Sequence, residues 1–135
     1  MSQPKIVVGY VKSEEGKRAL DQAIKEAKIR NAKLVLIHSE RGGRGESVDE
    51  VIEYREAGEE IEARLRQEGL EFVLRGFVRG NTPAEDLAQA AEEEGADLIV
   101  IGVRNRSSLG KLLLGSNAQE IIMSAPCPVL CVRAS

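Results

Sequence analysis

Apolar positions along the chain fall into two alternating spacings. Short β-branched runs recur at Ile6-Val7-Val8, which continues through Gly9-Tyr10-Val11, and at Leu34–Ile37, which ends at His38. They recur again at Phe72–Leu74 with Phe77-Val78, at Leu98–Ile101 and at Pro128–Val132. Continuous runs of this length predict strands buried on both faces. The third is expected to carry a bulge at Gly76. Between the runs the spacing becomes helical. Gly16, Leu20, Ala23, Ile24 and Ala27 mark one face of a helix over about residues 14–31, capped by Ser13 and stopped at Asn31. Val51, Tyr54, Gly58, Ile61 and Leu65 predict a second helix over about 47–68. Ser47 and Glu50 stand at capping-box spacing before it, and Gly69 closes it. Thr82-Pro83-Ala84-Glu85 joins a capping Thr, a Pro at the first helical position and a Glu three residues after the cap. The third helix then uses Leu87, Ala88 and Ala91 and ends at Gly95. The fourth uses Leu114, Ala118, Ile121 and Ile122, and Pro126 ends it.

Strands and helices thus alternate from start to finish. That order predicts an α/β protein, a single open five-stranded parallel sheet with helices on both faces. Ligands of such sheets sit beyond the carboxyl ends of the strands, where the strand order reverses. The positions to inspect are Gly9–Lys12, Ile37–Ser39, Val78–Asn81 and Gly102–Arg106.

Composition narrows the class. The 135 residues suit one domain, taken as 1–135, and 42% of them are hydrophobic, enough for a core. Nineteen Lys and Arg against 22 Asp and Glu leave a net charge of −3, which excludes a whole-surface basic field for nucleic acid or anionic membrane. No purely apolar run exceeds the four residues of Leu98–Ile101, too few for a membrane span or a signal-peptide core. The expectation is a soluble, cytoplasmic protein. Two Tyr, two Phe and no Trp give little for base stacking. Cys127 and Cys131 are too far apart along a strand for a mutual disulfide and read as small core or interface residues. The acidic clusters Glu14-Glu15, Glu59-Glu60 and Glu92–Glu94 read as solvated helix surface.

One stretch carries candidate chemistry. Gly102 ends the most apolar strand, Gly115-Ser116 precedes a helical run, and the loop between them holds Arg104, Arg106 and Lys111. Free amides at a helix start, the helix dipole and close-approaching glycine backbone all suit a phosphate. The Ser116 hydroxyl adds a donor, and the guanidinium groups add bidentate donors. The loop is not a Walker A motif, because Leu112 follows Gly110-Lys111 where Ser or Thr is required. The first strand-to-helix turn has no G-x-G-x-x-G. His38, the one histidine, has no Cys or His at ligand spacing; it is a candidate pocket-lining residue and a poor metal ligand. Neither a catalytic set nor a general base beside the loop is visible, so no enzyme is expected.

The chain resembles the universal stress protein family over nearly its whole length. The resemblance rests on Ser13-Glu14 with Ala19-Leu20, on Gly80–Pro83, and above all on three C-terminal segments. These are Asp97–Gly102, Gly110–Ser116 and Ala125-Pro126-Cys127-Pro128-Val129-Leu130. ATP-binding members carry G-x2-G-x9-G-[ST] here; Gly102, Gly115 and Ser116 match it, and Asn105 holds the second glycine's place. The first strand of such members often ends in an acidic residue, where this chain has Val11 and Lys12. The resemblance implies a Rossmann-like sheet of the adenine nucleotide alpha hydrolase type with strand order 3-2-1-4-5. It implies a stress-response regulator or sensor that binds ATP or another adenine nucleotide, with Mg²⁺ held mostly by the phosphates and no metal site of the protein's own. Val11 would contact the base beside Lys12. Gly102, Val103, Asn105, Gly115, Ser116 and Asn117 would surround the phosphates, with Arg104 and Lys111 supplying charge. It further implies a homodimer through the last strand. The alternative is the same fold and dimer with the nucleotide site lost, acting on a protein partner.

Overall fold

The computed structural model of the chain describes residues 3–10, 13–38, 48–76, 80–104 and 114–134; the side chains of residues 38, 48–51, 53 and 54 lie outside that description. Five strands, β1 (Lys5–Tyr10), β2 (Lys33–His38), β3 (Phe72–Gly76), β4 (Leu98–Val103) and β5 (Val129–Arg133), alternate with four helices. These are α1 (Glu14–Arg30), α2 (Val48–Gln67), α3 (Pro83–Glu94) and α4 (Ser116–Ser124). The strands form one sheet in the order β3-β2-β1-β4-β5, and every neighbouring pair is parallel. This is the expected α/β architecture.

The two-residue period of the strands divides the core in two. Ile6, Val8, Tyr10, Leu34, Leu36, Leu98 and Val100 face one side, against Ala19, Leu20, Ala23, Ile24 and Ala27 of α1 and Ile61 and Leu65 of α2. Val7, Val35, Ile37, Ile99, Ile101 and Val103 face the other, against Ala84, Leu87, Ala90 and Ala91 of α3 and Ile121 of α4. Each central strand is therefore apolar on both faces, the signature that its sequence carries.

Helix boundaries follow local chemistry. The Ser13 hydroxyl accepts from the Gly16 amide at 3.2 Å, and Asn31 takes the left-handed conformation at the other end of α1, φ 54°. At α3 both arms of the capping box form: the Glu85 amide donates to Thr82 Oγ1 at 3.1 Å, and the Thr82 amide donates to Glu85 Oε1 at 3.2 Å. Ala125 precedes Pro126 in extended conformation, so α4 stops at Ser124. The proposed cap at Ser47 and the segment Phe77-Val78 lie outside the described residues.

Three expectations need correction. Pairing of β3 with β2 runs unbroken to His38↔Gly76, so no bulge interrupts it up to that point. Leu114 precedes α4 rather than belonging to it, and Ile122 points outward at 39% exposure. The sheet sits against one side of a nine-residue helix, so only Ile121 is buried there. In α3 the buried stripe is Ala84, Leu87, Ala90 and Ala91, and Ala88 lies at its margin.

Candidate functional site

Strand order reverses between β1 and β4. From β1 the chain builds outward through β2 and β3, then returns to lay β4 and β5 on β1's other side. Ladder pairing reflects the reversal. β1 pairs with β2 through to its end, Tyr10↔His38, and β4 pairs with β5 through to Val103↔Arg133. Between β1 and β4, pairing runs only from Ile6↔Leu98 to Val8↔Val100. The ladder thus ends before the carboxyl ends of the two central strands, at the place where open α/β sheets have their ligand crevice.

Glycine shapes its floor. A Cβ on Gly102 would overlap the Glu15 carbonyl and stand 2.9 Å from the Glu15 Cβ, so the first turn of α1 rests directly on the end of β4. Arg104, just beyond β4, places its Nε 3.4 Å from Glu15 Oε2. Arg104 is 56% exposed and Glu15 only 15%.

The entry to α4 follows β4 in the chain. Gly115 is its N-cap and makes no side-chain cap hydrogen bond, and no acidic residue stands in the first turn. The starts of α1 and α3 differ: each has a side-chain cap and two acidic residues in the first turn. The start of α4 therefore keeps its positive dipole end without a carboxylate of its own. Ser116 and Asn117 are exposed there.

Several expected site residues lie at the end of β4 and the start of α4. Gly102 and Val103 finish β4, Arg104 follows, and Gly115, Ser116 and Asn117 open α4. Val103 is a core residue of the α3/α4 face, so its backbone alone is available to a ligand. His38 ends β2, one strand away from the β1–β4 crevice. Val11, Lys12, Asn105 and Lys111 lie outside the described residues. Glu15, expected on a solvated surface, is instead only 15% exposed, because Gly102 lets the first turn of α1 come close to β4. Its one local sign is its place just before Gly16, itself a buried residue of α1.

Burial sets the state of the remaining reactive groups. Tyr10 ends β1, where desolvation first and the Glu60 carboxylate second push its phenol up, keeping it neutral at physiological pH. Burial raises the Cys131 thiol, and burial with the Asp97 carboxylate raises that of Cys127, so neither is an activated thiolate. Both cysteines are free and border the same α3/α4 core. No cluster of His, Cys, Asp and Glu among the described residues has the makings of a metal site. No helix there is long and apolar enough to cross a membrane.

Comparison with known proteins agrees with this geometry. The family model described as "Universal stress protein family" matches residues 4–133. A universal stress protein of Mycolicibacterium smegmatis is 39% identical over 132 residues, covering 95% of this chain and 96% of its own. The solved universal stress protein of Archaeoglobus fulgidus in complex with dAMP superimposes with a TM-score of 0.72 at 31% identity, over 97% of this chain and 98% of that one. A universal stress protein solved in complex with cAMP gives a TM-score of 0.74 at 27% identity, with both chains fully covered. A five-stranded parallel sheet with this strand order, opened at β1 and β4, and a match running nearly end to end lead to one conclusion: the chain belongs to the universal stress protein family.

Proposed function

We propose that this protein binds an adenine nucleotide in the β1–β4 crevice and acts as a stress-response sensor or regulator rather than as a catalyst. The observation that carries the reading is the match, over 97% of the chain, to a relative solved with dAMP. The crevice supports it. The start of α4 offers amides and the Ser116 hydroxyl to phosphate oxygens, and Gly102 keeps the strand end slim. Arg104 supplies a guanidinium. Of the residues outside the described set, Val11 and Lys12 would meet the base, and Asn105 and Lys111 the phosphates. A magnesium ion would ride on the phosphates of a bound ATP.

Titration calorimetry with AMP and with ATP tests this. Binding at micromolar to sub-millimolar affinity is expected, and Ser116→Ala should weaken it about tenfold by removing one hydrogen bond to a charged group. Absence of heat up to millimolar nucleotide would defeat the nucleotide reading and leave the protein-interaction module in its place.

The same reading includes a homodimer through β5. Among the described residues its outer edge meets no further strand, and Val129–Val132 are only half-buried. Ile122 and Met123 of α4 add exposed apolar surface, Met123 at 85%. Size-exclusion chromatography with light scattering should give twice the 14.7 kDa chain mass at micromolar concentration. A monomer there refutes the dimer and leaves the nucleotide proposal standing.

A further inference from the structure

Glu15 is an anion fixed beside a site read as anion-binding. Its side chain is 15% exposed, and Oε2 is covered and takes no hydrogen bond among the described residues. Among the described residues the cation facing that oxygen is Arg104, with Nε at 3.4 Å. The carboxylate cannot retreat easily. The first turn of α1 is pinned by the contact of Glu15 with Gly102 and by the Ser13 cap on the Gly16 amide. Glu14, its neighbour, is turned away to an ion pair with Arg18 at 3.5 Å. Arg104 is more than half exposed. With Nε near Glu15 as an ion pair without a hydrogen bond, its terminal nitrogens remain for an incoming anion, since the guanidinium is a rigid fork of five donors. Any ligand phosphate that meets Arg104 therefore shares it with a fixed carboxylate.

We propose that Glu15 is a specificity-determining residue: through its pairing with Arg104 it sets the ligand charge that the crevice accepts, favouring adenine nucleotides with one phosphate over those with three. This rests on the nucleotide reading above. The physical reason is that each further phosphate adds negative charge within several ångströms of a half-buried carboxylate, where solvent screens poorly. The charge of Arg104 is already partly spent on Glu15. Every other charge of the chain is the same in a Glu15 variant. A change caused by Glu15→Gln therefore reports the carboxylate itself.

The test is calorimetry with AMP and ATP, magnesium-free and at low salt, on wild type and Glu15→Gln. Wild type should bind AMP at least as tightly as ATP. Glu15→Gln, nearly isosteric and uncharged, should raise the ratio of ATP affinity to AMP affinity about tenfold. A simple loss of packing would weaken both nucleotides together and leave the ratio unmoved. A wild type that prefers ATP overturns the proposal without any variant being needed. So does a ratio that stays constant or falls in Glu15→Gln. In both cases the crevice would still bind nucleotides, and only the role of Glu15 would be lost. A wild type that binds neither nucleotide removes the site and this role together.

Discussion

Gly102→Ala should lower the stability of the protein by about 3 kcal/mol, seen as a fall of roughly 10 °C in Tm or the matching shift in urea midpoint. The new methyl group would be driven into the Glu15 carbonyl and would stand 2.9 Å from the Glu15 Cβ. Neither neighbour is a flexible side-chain end. Relief requires either the first turn of α1 or the end of β4 to move, and both are tied down by their own hydrogen bonds. Gly9→Ala is the internal control. There the new Cβ would meet only Leu87 Cδ1 and Cδ2, at 3.1 and 3.2 Å, and a leucine can turn its methyl groups aside. About 1 kcal/mol is expected. Equal effects at the two glycines would mean that α1 does not lie on β4 as described. Nucleotide affinity should fall with Gly102→Ala as well, because the same shift would deform the floor of the crevice.

Leu65→Ala is the second large effect, about 3 kcal/mol by lost burial and the cavity left behind. Leu65 is fully buried, in the cluster that holds Leu34 and Leu36 of β2 and Tyr10 of β1. It also sits where α2 ends: its carbonyl accepts from the Leu70 amide at 3.1 Å, beside Gly69 in the left-handed conformation, φ 74°. Among the described side chains of α2, only Leu65 and Ile61 are buried. Losing a buried anchor of α2 should therefore loosen that helix first, and hydrogen exchange would show α2 amides speeding up more than those of β1 or β4. Met123→Ala serves as the comparison. At 85% exposure it should stay within about 0.5 kcal/mol of wild type in the monomer. A Leu65→Ala loss below about 1 kcal/mol would show that α2 is not seated on this core.

Features fixed by neighbours in sequence were legible before any coordinates. Ser13 and Asn31 bound α1 because a hydroxyl cap and a left-handed Asn act within a few residues. Thr82, Pro83, Glu85 and Gly95 bound α3 for the same reason. Apolar runs such as Leu98–Ile101 announced central strands, because burial on both faces leaves no polar position. What sequence could not supply was set by chain brought together from afar. Glu15 looks like any helix-surface glutamate until Gly102 admits it to the sheet. Ile121 and Ile122 are equivalent in composition, and only the direction from which the sheet approaches α4 separates them. Val103 is a residue that the resemblance places around the phosphates; the alternation of side chains along β4 turns its side chain into the core with Ile99 and Ile101 and leaves its backbone at the strand end. Around the candidate site, the parallel sheet was readable from the alternation of strands and helices, whereas the pairing of Glu15 with Arg104 was not.

The short seam between β1 and β4 has a mechanical consequence. Within the sheet, the ladder joining β3-β2-β1 to β4-β5 runs from Ile6↔Leu98 to Val8↔Val100 and leaves a split toward the mouth, with α1 packed across both sides. A molecule resting on the tip of one side and the helix entry of the other acts as a clasp across that split. Occupancy would then register as resistance of the whole fold to being prised open, a signal that another protein can read without ever touching the bound molecule.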